Sequence, residues 1–272
     1  MKSAAFPKFL VLPVLMCVLL ALAACGGTSN TNLTQGNWAV TATSNVTANA
    51  AAPSFLIGGN LTQSKSTVSG TMYVIDSLCF PASQQIVVTG SVKDKNVTLT
   101  TASFEGQVIT VTGTTSDPST ITGTYKVVGG CADGDQGTIT ATAMPSISGT
   151  WTGLVDAIGS SASHGISQAT LSVALTQANT ASADGTFALT GTVTYTNSTC
   201  SVSGTISGGS LAGLYIANLH VDTLEQDESQ GDFTFSNVLI DSATAPKNMT
   251  GDYEVLSGLC QGNAETLTLT KQ

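Results

Sequence analysis

The sequence predicts an all-β protein made of two tandem antiparallel up-and-down eight-stranded barrels, with two β-sandwiches as the alternative. Three observations carry this. Segments such as IVVTGSV, NVTLTTAS, VITVTGT and ATLSVALTQ alternate apolar residues with Thr or Ser, the period of a half-buried strand. Clusters of Gly, Asn, Asp and Ser punctuate these segments at roughly 8–12-residue intervals, as in sandwiches and barrels. The chain also repeats itself, with TGTYKVVGGC at 122–131 and TGDYEVLSGLC at 250–260. No window sustains a helical stripe.

Residues 1–24 open with Lys2 and Lys8 and continue as the apolar run FLVLPVLMCVLLALAA. A positive start, an apolar middle and small residues at the end make a secretory signal peptide. The run is shorter than the ~20 residues of a membrane-spanning helix, and Pro13 interrupts it. Leu22-Ala23-Ala24-Cys25 follows. This quartet resembles the lipobox of bacterial lipoproteins; the other reading is an ordinary secretory signal that happens to precede a cysteine. The resemblance implies cleavage before Cys25, diacylation of its sulfur and acylation, as with palmitate, of the new amino group. Each buried CH₂ contributes ~0.8 kcal/mol, so two or three chains anchor where one does not. Gly26 is not the aspartate that retains such proteins at the inner membrane of enteric bacteria, so the resemblance implies an outer-membrane address in the cell envelope. Residues 25–35, CGGTSNTNLTQ, read as a lipidated flexible tether.

Residues 36–144 and 145–272 form the two barrel repeats. Gly36-Asn37-Trp38 opens the first and Gly149-Thr150-Trp151 opens the second; these are the only two tryptophans. Each is followed by Leu-Thr-Gln (Leu61 to Gln63, Leu175 to Gln177), a Gly-Thr pair, a cysteine, the repeated phrase with its own cysteine, and a Thr-alternating last strand. The order is shared while spacings drift, which is what loop changes do to a duplicated domain. Strands are expected near Trp38, Phe55, Val68, Ile86, Val97, Val108, Thr120 and Gln136, then near Trp151, Ala169, Gly185, Val202, Leu211, Phe233, Asn248 and Glu265. The joint MPSIS at 144–148 is short, so the two barrels should hold a restricted relative orientation.

Eight sequential strands with short connections suit a closed barrel, which removes the exposed edges of an open sheet. GNW or GTW near the first strand, with TGTY or TGDY later, resembles the lipocalin and avidin barrels. The resemblance implies the lipocalin-like barrel and stops short of its ligands. Lipocalins cover that tryptophan with an arginine from a late strand, and this chain has no arginine. Avidins surround biotin with several tryptophans, and each half here has one. Trp38 and Trp151 are therefore read as plugs closing one barrel end in preference to ligand walls.

Six cysteines are present. Cys17 leaves with the signal and Cys25 carries lipid. The remaining four allow three pairings. Duplication selects Cys79–Cys131 and Cys200–Cys260, one per half, and an oxidising envelope permits them. Each would tie the loop after a third strand to the turn after a seventh. A metal site is the alternative, but no C-x-x-C occurs and His164 and His220 lie far from the cysteines in sequence.

Only 9% of residues are charged, and loss of Lys2 and Lys8 takes the formal net charge from −9 to −11. Such a surface excludes nucleic acid, which needs phosphate-neutralising cations. It equally excludes docking on anionic lipid through a basic patch, leaving the acyl chains as the membrane partner. No G-x-S-x-G occurs, and neither histidine has a counterpart in the first half. Asp133 and Asp135 in CADGDQG, and Asp227 and Glu228 in DTLEQDESQGD, are candidate Ca²⁺ ligands. Neither stretch has EF-hand spacing, so solvated acidic turns are the favoured reading. The sequence calls for no cofactor and no catalytic residue.

The expected function is that of a non-enzymatic, lipid-anchored envelope protein with a structural or protein-contact role. Small-ligand carriage inside the barrels is the alternative, and a hydrolase built on His164 or His220 the third reading. A lumen of several hundred Å³ would favour carriage, and one filled by side chains would oppose it.

Overall fold

The computed structural model describes residues 31–46, 55–77, 79–156, 168–198, 203–223, 231–258 and 260–272. Every regular element among them is a strand. β1 (Gly36–Ser44), β2 (Phe55–Ser64), β3 (Thr67–Asp76), β4 (Gln85–Lys93), β5 (Asn96–Thr101), β6 (Gln107–Asp117), β7 (Thr120–Gly129) and β8 (Gln136–Ala143) close into one antiparallel barrel in chain order. β9 (Gly149–Asp156), β10 (Gln168–Gln177), β11 (Phe187–Thr196), β12 (Ser203–Ala212), β13 (Tyr215–Thr223), β14 (Phe233–Ile240), β15 (Asn248–Val255) and β16 (Ala264–Lys271) close into a second. The barrels, and not sandwiches, are the architecture.

The alternation seen in the sequence sets which side faces in. In β8, Gly137, Ile139, Ala141 and Ala143 are buried while Gln136, Thr138 and Thr140 are exposed. A one-residue slip would reverse that set, so burial of one face fixes the register. The closing seam of the first barrel pairs β1 with β8 from Trp38↔Ala143 to Ser44↔Gly137. In the second barrel the β9–β16 seam runs through Trp151↔Lys271 and Thr152↔Thr270, with the Gln272 N–H donating to the Thr150 carbonyl beyond them.

Two sequence expectations shift. Leu211 does not start a strand: it lies in β12, and the chain turns at Gly213-Leu214 with Ala212 opposite Tyr215. Gly185 lies before β11, in the turn that precedes Phe187. The Gly213 tip is buried on the first barrel, and in the other turn Gly185 packs on it while Ser182, Ala183 and Asp184 stay exposed. A Cβ built on Gly58 of β2 would stand 2.4 Å from the Gly213 Cα, and one on Gly185 would stand 2.5 Å from the Thr71 carbonyl oxygen. Only glycine allows backbones this close, and Gly213 (φ +57°) and Gly185 (φ +89°) also need its left-handed freedom. Two hairpin tips of the second barrel thus rest on the β1–β3 wall of the first, giving the short joint the restricted geometry expected of it.

Candidate functional site

The lumen is where a barrel of this kind would carry a ligand. In the first barrel its free volume is about 30 Å³, bounded by apolar side chains including Val40, Phe55, Leu61, Met72 and Ile121. Ligand pockets run to ~300–1,000 Å³, so this is a packed core with space for a water or two. In the second barrel Trp151, Leu171, Leu189, Phe233, Phe235 and Leu267 belong to one buried cluster.

Each tryptophan sits near the start of its first strand and is fully buried. The Trp38 indole N–H donates to the Thr34 carbonyl at 2.9 Å, and the Trp151 indole N–H donates to the Ile147 carbonyl at 2.9 Å. Gln63 and Gln177, which end the two Leu-Thr-Gln triplets, complete the arrangement. Their side-chain oxygens accept from Leu33 N–H (2.7 Å) and Ile147 N–H (3.0 Å). The chain leading into each barrel is therefore bound across one end of it, with Leu33 and Ile147 buried beneath. This corrects the reading of residues 31–35 as tether. Thr31 N–H and Thr34 N–H donate to the Asp94 and Pro118 carbonyls, which pins that segment to the wall. Over Trp151, Lys271 of the last strand places its Nζ 5.4 Å from the ring centroid, a cation on the indole face where the sequence offered no arginine.

Aromatic rings fill the opposite end. In the first barrel Phe55 packs on Phe80 and Tyr125 at 5.2 and 5.0 Å between centroids, and Phe80 on Phe104 at 5.4 Å. Above them runs the Cys79–Cys131 disulfide, spanning 52 residues of chain. In the second barrel Phe233 contacts Tyr195 at 5.4 Å and Tyr253 at 5.3 Å. Cys260 is disulfide-bonded and buried; its partner lies outside the described residues, as do Cys200 and Cys25.

The tyrosine of each repeated phrase is an inward anchor. Burial and then the neighbouring Asp135 carboxylate hold the Tyr125 hydroxyl far above its ordinary pKa, while burial raises that of Tyr253. Asp135 is not the solvated turn residue the sequence suggested. It is 1% exposed and accepts from the Ser44 hydroxyl (2.6 Å) and the Tyr125 hydroxyl (2.8 Å), so each of its oxygens has a donor. Asp133 accepts from the Gly129 N–H at 2.7 Å, which shapes the turn. The two candidate Ca²⁺ ligands are thus each engaged by protein donors. Asp227 and Glu228 lie outside the described residues, as does His164. Among the described residues no three His, Cys, Asp or Glu side chains gather as a metal-ligand group. His220 lies on β13 with its Nε2 3.0 Å from Asp222, both half-buried.

The residue that sequence reasoning missed is Asn37. It is 4% exposed, and its side chain bonds both backbone groups of Gly213: Nδ2 donates to the carbonyl at 3.0 Å and Oδ1 accepts from the N–H at 2.7 Å. The one available signal was the contrast between GNW in the first half and GTW in the second. Asn37→Ala would leave both buried Gly213 groups without a partner, at ~1–3 kcal/mol each. A loss of about 2–6 kcal/mol is expected, with one calorimetric transition resolving into two. An unchanged single transition would mean that this bond pair does not couple the barrels.

Beside that contact the two barrels enclose a groove of about 170 Å³, lined by Tyr73 and Ser83 from the first and by Asp184, Ser210, Tyr215 and Ala217 from the second. Burial, and then the neighbouring Asp184 carboxylate, raises the pKa of the Tyr73 hydroxyl. No protein-family model matches the chain, and no curated protein matches it.

Proposed function

We propose that this is a lipid-anchored bacterial cell-envelope protein whose twin barrels have a non-enzymatic structural or protein-contact role. The observation that carries the reading is the filled first lumen, whose ~30 Å³ suits a scaffold and not a carrier. The anchor rests on Leu22-Ala23-Ala24-Cys25 and on the positive, apolar stretch before it. Acyl chains on Cys25 hold the protein to the outer membrane, and Cys200 is the partner of Cys260. An acidic chain without arginine has no other means of attachment to anionic lipid.

Cys25→Ser tests the anchor. Wild-type protein should sediment with membranes and incorporate labelled palmitate. The variant should do neither: a change of two or more acyl chains, at ~0.8 kcal/mol per CH₂, moves the partition by many orders of magnitude. Equal sedimentation of both forms would end the proposal. Native mass spectrometry of the wild type reads the acyl mass on Cys25 and the Cys200–Cys260 bond together.

A further inference from the structure

We propose that the groove between the two barrels binds one residue of a neutral sugar chain. The site exists only because the barrels dock, since Tyr73 and Ser83 come from one and Asp184, Ser210, Tyr215 and Ala217 from the other. Ligand sites favour such inter-domain clefts, and here the contact is fixed in place by the Asn37–Gly213 bonds.

Size selects the ligand first. A volume of about 170 Å³ corresponds to five or six waters at ~30 Å³ each, the bulk of a single pyranose ring. A peptide of several residues or a cofactor is larger. Charge selects next. The lining holds a carboxylate and no cation, in a chain of formal net charge −9, so phosphates, sulfates and uronic acids are repelled.

Chemistry makes the last selection. Thr186 donates its N–H and its hydroxyl to one oxygen of Asp184 at 3.0 and 2.9 Å, which fixes the carboxylate. Two of its roughly four acceptor positions, those of the other oxygen, remain for ligand hydroxyls. Ser83 and Ser210 supply hydroxyls that both donate and accept, and Tyr73 and Tyr215 supply apolar ring surface beside polar tips. A ligand that presents many O–H donors around a C–H face is a neutral saccharide. Ser83 holds φ +63°, a conformation unusual for serine, with its N–H bonded to the Val74 carbonyl at the groove margin.

The test uses the purified full chain in a non-glycosidic detergent. The methyl glycosides of glucose, galactose, mannose and N-acetylglucosamine are probed by saturation-transfer NMR and titration calorimetry. At least one should bind in the millimolar range, and inorganic phosphate should not. Ala217→Phe, which fills the groove from an exposed position, should weaken binding about tenfold or more without moving the melting temperature, and Tyr215→Ala should weaken it similarly. Absence of binding by all four glycosides overturns the proposal, as does binding that Ala217→Phe leaves unchanged. Cys25→Ser should bind as wild type does, so failure here and failure of the lipid anchor are separate results.

Discussion

Trp38→Ala is expected to destabilise the first barrel by about 3–5 kcal/mol, and Trp151→Ala the second by as much. For barrels of this size that lowers the melting temperature by roughly 12–20 °C. Both indoles are fully buried, and each also fastens the chain leading into its barrel through a 2.9 Å hydrogen bond. Tryptophan to phenylalanine separates the two contributions: it keeps most of the ring volume and loses the N–H, and should cost about 1–2 kcal/mol. Circular dichroism melts measure the losses. Because each barrel holds one tryptophan, the fluorescence of Trp151 in Trp38→Ala follows the second barrel alone. If the docked tips couple the barrels, that signal also melts early. A loss under 1 kcal/mol for either alanine variant would show that the indole is not a packed part of its core.

Joint replacement of Cys79 and Cys131 by serine should cost about 4 kcal/mol, the chain-entropy value for a crosslink closing some fifty residues. The loss should appear mainly in faster unfolding of the end where Phe55, Phe80 and Phe104 meet, and hydrogen exchange there reports it. Reduction of the folded protein gives a sharper contrast. Cys131 is exposed and Cys79 half-buried, whereas Cys260 is 4% exposed. Dithiothreitol under native conditions should therefore open Cys79–Cys131 first, leaving Cys260 blocked to alkylation until the second barrel unfolds. Simultaneous labelling of all three would contradict the burial difference.

The strand pattern was legible because Thr or Ser fills more than half of the exposed strand positions and apolar residues most of the inward ones, so period 2 survives in segments such as TITATA. Duplication placed the Cys79–Cys131 bond, since a repeated cysteine at a repeated turn leaves one sensible pairing within the half. Two kinds of long-range contact produced the misreadings, one between the barrels and one within the first. The tip around Gly213 is apolar because it is buried on β2, so it lacked the polar residues that mark a turn and was merged into a strand starting at Leu211. Asp135 looked solvated because its two donors, Ser44 and Tyr125, are 91 and 10 residues away in the chain. The sugar groove was invisible for the same reason: Tyr73 and Tyr215 share a pocket only through the docking of separate domains. The repeated Leu-Thr-Gln was visible, but its role in gripping the incoming chain required the fold.

The binding of that incoming chain sets a reach. With Thr31 already fastened to the Asp94 carbonyl, only residues 26–30 separate the first barrel from an acylated Cys25. Even fully extended, that stretch spans about 20 Å. If Cys25 carries lipid as proposed, a leash this short holds the first barrel close to the headgroups.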